Sequence, residues 1–146
     1  MTIYDENTIL MSIASHPKYL KLVRSVILQC AMLMNFSEKI SKDITLAVDE
    51  ALTNVIKHSY MGCLNKRIDI TIYLLDDRLE LKICDFGKKV DPKTIKPRNL
   101  CDVKPGGLGV FFMKKIMDEV DYDISSPKGT TLTMIKYKED TGEQSN

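Results

Sequence analysis

Two alternating runs in the middle of the chain constrain its fold more than any other feature. From Arg67 to Leu75, Ile68, Ile70, Ile72 and Leu74 fall on one side of a two-residue period, and after Asp76-Asp77 the pattern resumes with Leu79, Leu81 and Ile83. A period of two marks strands with one buried face, and the acidic pair between the runs fits a tight turn, so the segment reads as a β-hairpin. Upstream, Ile9, Met11 and Ile13 alternate in the same way until His16-Pro17 ends the run. The period then lengthens. Leu20, Val23, Ile27, Ala31 and Met34 form a helical stripe over 18–34, and Ile40, Ile44, Ala47, Ala51 and Val55 form another that runs to about Ser59. Ser37 followed by Glu38 fits the N-cap of that second helix.

Downstream, residues 86–109 read as a loop holding Pro92, Pro97, Pro105 and four glycines. Loops of that length inside a compact domain often form lids or binding segments. A third helix over Val110 to about Glu119 points Val110, Met113, Ile116 and Met117 inward, and strands at 120–124 and 130–137 close the chain. The expected fold is therefore α+β: a two-layer sandwich with a mainly antiparallel sheet and helices on one face. Residues 1–138 are expected to form one domain and 139–146 a polar tail.

Composition narrows the function. The chain's 146 residues suffice for a hydrophobic core without staples. Its 21 basic residues nearly cancel 20 acidic ones, which argues against nucleic acid as the principal partner. Cys30, Cys63, Cys84 and Cys101 include no C-x-x-C pair, and His16 and His58 are the only histidines, so no zinc pattern is present. Asp5 and Glu6 stand where a signal segment would turn apolar, and the apolar stretch 26–34 is far below the ~20 residues of a membrane span. The expectation is a reduced, cytoplasmic protein without a membrane partner.

Three places break the amphipathic pattern. In the second helix Glu50 and Asn54 stand four residues apart on one face, and His58 extends that polar row. The pair reads either as an exposed i,i+4 contact or as a partly buried carboxylate able to take a proton beside an amide oxygen able to bind Mg²⁺. Asp85-Phe86-Gly87 ends a strand; it reads as a simple β-turn, or as a carboxylate that accepts from an exocyclic amine beside a glycine that admits a flat ligand. Pro105-Gly106-Gly107-Leu108-Gly109 precedes a helix; it reads as a flexible loop or as exposed N–H groups at an anion site. No Gly-Lys-Ser/Thr follows, so it is not a Walker loop.

Taken in order, the E-x-x-x-N helix, the D-x-G strand end and the G-G-L-G junction resemble the Bergerat-fold (GHKL) ATPases. The match is closer to the bacterial anti-sigma factors that are also serine-protein kinases. Residues 49–60, DEALTNVIKHSY, are similar to that branch's N box; Gly106–Val110 with Met117–Val120 resemble its second glycine box and following helix; and Gly129-Thr130-Thr131-Leu132 resembles its closing strand.

The resemblance implies that Asn54 binds Mg²⁺ and that Glu50 is the general base for a substrate serine. It implies that Asp85 bonds the adenine amino group, Gly87 borders the base and Thr130 supports that contact. Gly106, Gly107, Leu108 and Gly109, with Lys104 nearby, would wrap the phosphates of ATP under a lid at roughly 93–105. It implies a homodimer that holds a sigma factor and phosphorylates an anti-anti-sigma partner. Two departures stand out: Lys89 replaces the second glycine of a D-x-G-x-G box, and where kinase members tend to carry an arginine just before the lid glycines Lys104 stands closest, without the bidentate fork, with Arg98 further off. A nucleotide-gated binding module without transfer, or the ATP-binding part of a histidine-kinase-like system, is the alternative. Lys88, Lys89, Lys93, Lys96, Arg98 and Lys104 against Asp91 and Asp102 make the long loop basic, so ATP binding is expected to weaken with salt.

Overall fold

The computed structural model describes residues 5–88 and 109–139, with side chains described from residue 112 onward in the second stretch. The chain runs β1 (Thr8–Ala14), a 3-10 turn (Pro17–Tyr19), α1 (Leu20–Leu33), α2 (Glu38–Asn54), a π-helical turn (Val55–Ser59), β2 (Arg67–Leu74), β3 (Arg78–Asp85), α3 (Gly109–Ile116), β4 (Glu119–Asp123) and β5 (Thr130–Tyr137). The strands form one sheet in the order β1-β2-β3-β5-β4, and all four ladders are antiparallel.

The two-residue period of the central hairpin becomes the floor of the core. Ile68, Ile70, Ile72, Leu79, Leu81 and Ile83 are buried, joined by Leu132 and Met134 from β5. The alternating partners Thr71, Tyr73, Lys82 and Thr133 stay partly exposed on the other face. Against the floor pack the stripes of α1 (Leu20, Val23, Ile27, Ala31), α2 (Ile44, Ala47, Val48, Ala51) and Met113 of α3, in a single cluster. Helices on one face of an antiparallel sheet make the α+β sandwich that the patterning predicts.

Helix ends depart from expectation where side chains intervene. The His16 Nδ1 accepts from the Lys18 N–H at 3.1 Å and Pro17 opens a tight turn, so α1 begins at Leu20 rather than Lys18. The Ser37 hydroxyl accepts from the Ile40 N–H at 3.1 Å, and α2 begins after its expected cap. α3 ends at Ile116, short of Glu119, because the Lys136 ammonium donates to the Ile116 carbonyl at 2.9 Å and the Asp118 N–H turns to the Ile135 carbonyl at 2.9 Å. Lys89, Lys104, Gly106, Gly107, Leu108, the expected lid and the tail from residue 140 lie outside the described residues.

Candidate functional site

α2 delivers the first two candidate residues because its apolar stripe seats it on the sheet, which carries one flank of the polar row inward. Asn54, the last residue of the α-helix, is 6% exposed, and neither its carbonyl oxygen nor its amide nitrogen has a partner. One turn earlier Glu50 is half-buried, and its Oε2 is also buried without a partner. Burial pushes the Glu50 carboxyl above its usual pKa; Asp49 adds to the rise and Lys57 opposes it. Asp49 is held by Arg24 of α1 at 2.7 Å. An unsatisfied buried polar group costs roughly 1–3 kcal/mol, so three such atoms along one helix flank mark a place built for something other than folding.

After Asn54 the helix changes register. The Tyr60 N–H reaches the Val55 carbonyl five residues back at 3.0 Å, and the extra residue in that turn rotates the side chains beyond it. The polar row therefore does not continue to His58, which is exposed; it continues to Ser59, which is buried. The Ser59 hydroxyl donates to Asp85 Oδ2 at 3.3 Å. Sequence reasoning missed Ser59, although it stands one i+4 step beyond Val55 on the stripe.

Asp85 ends β3 and is 2% exposed. Its Oδ1 accepts from the Gly87 N–H at 3.1 Å, and the Thr130 backbone N–H also donates to the carboxylate. Burial still prevails over these three bonds and raises the carboxyl above its usual pKa. Thr130 is the cross-strand partner of Asp85, and its Oγ1 is buried without a partner. Asn54, Ser59, Asp85, Tyr122 and Thr130 line one cleft with Ala51, Val55, Ile83 and Leu132. Glu50 is not among the lining residues; it stands one turn back from Asn54.

Two glycines shape the cleft. A Cβ on Gly129 would stand 1.8 Å from the Asp85 carbonyl oxygen, and its φ of 78° is left-handed, so only glycine lets β5 start close enough to place Thr130. A Cβ on Gly87 would stand 2.4 Å from the Ser59 carbonyl and 2.7 Å from the Tyr60 ring. The close approach expected at Gly87 is thus made, among the described residues, to the chain's own π-turn. Gly109 opens α3, at the junction where an anion site was expected.

The donor set fits a nucleotide with a hard cation. Among the described residues no cluster of three or more His, Cys, Asp or Glu could hold a metal. A cation beside Asn54 would take one protein oxygen and draw its other ligands from phosphates and water, the habit of Mg²⁺. The apolar walls at Ala51, Ile83 and Leu132, with one buried carboxylate at the end, suit a flat base carrying an amine.

A profile of the histidine kinase-like ATPase domain matches residues 13–136. The serine-protein kinase RsbW of Bacillus subtilis (strain 168) is 31% identical over 135 residues, covering 87% of this chain and 83% of the relative. RsbW of Listeria monocytogenes (strain EGD-e) is 30% identical over 146 residues, covering 93% and 89%. In fold, the chain is similar to the crystal structure of the RsbU and RsbW domains of a Mycobacterium tuberculosis protein, with a TM-score of 0.63 and 14% identity over 88% of this chain; it spans 31% of that longer chain. It is also similar to the histidine kinase domain of a blue-light activated kinase from Erythrobacter litoralis, at TM-score 0.52 and 14% identity over 85% of this chain and 61% of that one.

Proposed function

The chain belongs to the histidine kinase-like ATPase family, in the branch of the RsbW serine-protein kinases, and from that premise we propose that it is an ATP-dependent serine-protein kinase of the anti-sigma type. The observation that carries this reading is the Asn54 amide, buried with both polar atoms unpartnered in a cleft that ends on the buried Asp85 carboxylate.

In this reading Asp85 accepts from the amino group of adenine, Gly87 borders the base and the Thr130 hydroxyl supports that contact. Asn54 contributes its oxygen to Mg²⁺, which when bound neutralises phosphate charge during transfer. Lys104, Gly106, Gly107, Leu108 and Gly109 hold the phosphates with backbone N–H groups and one ammonium. Glu50 takes the proton of the substrate serine as its oxygen bonds to the γ-phosphorus and the bond to ADP breaks. The raised pKa of Glu50 makes it a better base than an exposed carboxylate. The partners in this reading are a sigma factor, held inactive, an anti-anti-sigma protein, phosphorylated on serine, and a second copy of the chain. Among the described residues no helix is long and apolar enough to cross a membrane.

The test combines γ-labelled ATP, Mg²⁺ and a small anti-anti-sigma protein. Label is expected on the partner's serine, reduced by about 10²–10⁴ in Glu50→Gln. Calorimetry should show Mg²⁺-dependent ATP binding lost in Asn54→Ala. Undiminished transfer by Glu50→Gln refutes the general base, and unchanged binding by Asn54→Ala refutes the metal role. ATP binding without any transfer would leave a nucleotide-gated binding module.

A further inference from the structure

One buried hydroxyl sits where three elements of the site meet. Ile68 pairs with Asp85 at the end of the β2–β3 ladder, so Arg67 and Phe86 stand next in register. The Arg67 carbonyl and the Phe86 N–H do not serve each other there. Both bond to the Tyr60 hydroxyl, which donates to the Arg67 carbonyl and accepts from the Phe86 N–H at 2.8 Å. The hydroxyl thus stands where a direct ladder bond would close.

Beyond that point the chain turns onto the π-turn. Gly87 packs against the Tyr60 ring and the Ser59 carbonyl, at a distance no side chain would allow. The Lys88 N–H donates to the Ser59 carbonyl at 2.9 Å, and the Gly87 N–H turns back to Asp85 Oδ1. On the outer face of the sheet the Arg67 guanidinium lies over the Phe86 ring at 5.3 Å while it pairs with Asp69 through bonds of 2.9 and 2.8 Å. Tyr60 is 6% exposed, and burial raises its pKa, so the hydroxyl remains a donor at neutral pH.

We propose that Tyr60 is a positioning residue of the nucleotide site: its hydroxyl wedges the β2–β3 ladder open at Arg67 and Phe86, seats Gly87 and Lys88 on the π-turn, and so aims Asp85 at the cleft. This rests on the nucleotide reading of that cleft. Without the hydroxyl, Phe86 and Arg67 can pair directly. The strand end then zips closed, drawing Gly87 off the π-turn and turning Asp85 away from the base. The sheet keeps its hydrogen bonds, and what is lost is the aim of the carboxylate.

Tyr60→Phe keeps the ring in the core and removes only the wedge. Its melting temperature should equal or exceed that of the wild type. Its Kd for ATP with Mg²⁺ should rise about tenfold, the scale of one misdirected hydrogen bond to a charged group. Preference for ATP over GTP should shrink, and KM for ATP should rise with kcat at saturation little changed. Unaltered Kd and base preference overturn the proposal, as does a melting temperature that falls in step with binding, which would make Tyr60 a core residue only. Amide exchange on the wild-type protein gives a check that needs no variant: the Phe86 and Lys88 N–H groups should exchange as slowly as those of β3 before nucleotide is added, and exchange at open-loop rates overturns the wedge. Wild-type protein that binds no ATP would defeat the nucleotide reading; wild-type binding beside an unchanged Tyr60→Phe defeats this proposal alone.

Discussion

Glu50 works against the fold that carries it. Its carboxyl is held above the usual 4.5, chiefly by burial, with Asp49 adding and Lys57 opposing. A group whose folded pKa exceeds its unfolded one contributes stability that is fully present below the unfolded value and is lost as pH rises through the folded value. Above that raised value the ionised Glu50 therefore opposes folding of the ligand-free chain. Glu50→Gln keeps the shape and removes the charge, so above the raised pKa it should increase stability by about 0.5–1 kcal/mol, a few degrees in Tm. That gain should fade as pH falls through the raised pKa. Phosphoryl transfer by the wild type should show an acid limb above 4.5 that the variant's residual activity lacks. Scanning calorimetry across pH decides the stability half: a variant less stable than wild type above the raised pKa would mean that the carboxylate supports the fold.

At the scale of elements, α2 separates what stabilises from what functions. Its 17 residues rise about 25 Å, with the Ser37 cap at one end and Asn54 at the other. Ser37→Ala removes the bond to the Ile40 N–H and should cost about 1 kcal/mol, seen as a Tm lower by roughly 2–5 °C, with the Kd for ATP unchanged. A weakened Kd would mean that the cap reaches the site after all. The stripes on α1 and α2, the central hairpin and the bounds of β5 could be read from periodicity because burial alone sets them. The π-turn could not, since period 3.6 runs unbroken through Val55 and points to His58 as the next polar neighbour of Asn54. What selects Ser59 instead is a carboxylate on β3, 26 residues away in sequence. Strand order was hidden for the same reason: β5 pairs with β3 across the whole span of α3 and β4, and no local pattern records that. Asn54, Asp85 and Thr130 were legible as motif residues, whereas the Tyr60 hydroxyl, which aims one of them, looks in sequence like any aromatic at a helix end.

At the scale of the molecule the sheet ends in two strands that differ in charge. β4 carries Glu119, Asp121 and Asp123 at exposed positions, and carboxylates on an edge strand repel a second strand. β1, TILMSIA, carries no charge, and Leu10 is 52% exposed on it. Among the described residues β1 pairs only with β2; on its other edge the Thr8 N–H turns to the Asp5 carbonyl and no strand pairs with the backbone that follows. If the chain pairs with a second copy, as its proposed function holds, the uncharged edge is the one physics favours, since strand addition there satisfies backbone groups and covers Leu10 without burying charge. Leu10→Lys places an ammonium on that edge and should shift the equilibrium toward monomer by tenfold or more, an order-of-magnitude expectation for burying an unpaired charge. ATP affinity should hold, because β1 contributes no residue to the described lining of the cleft. Sedimentation across a concentration series reads the result. A wild type that is monomeric throughout removes the second copy, and a Leu10→Lys variant that associates as the wild type does moves the interface to another face. Loss of ATP binding together with association would instead tie the cleft to the assembled state.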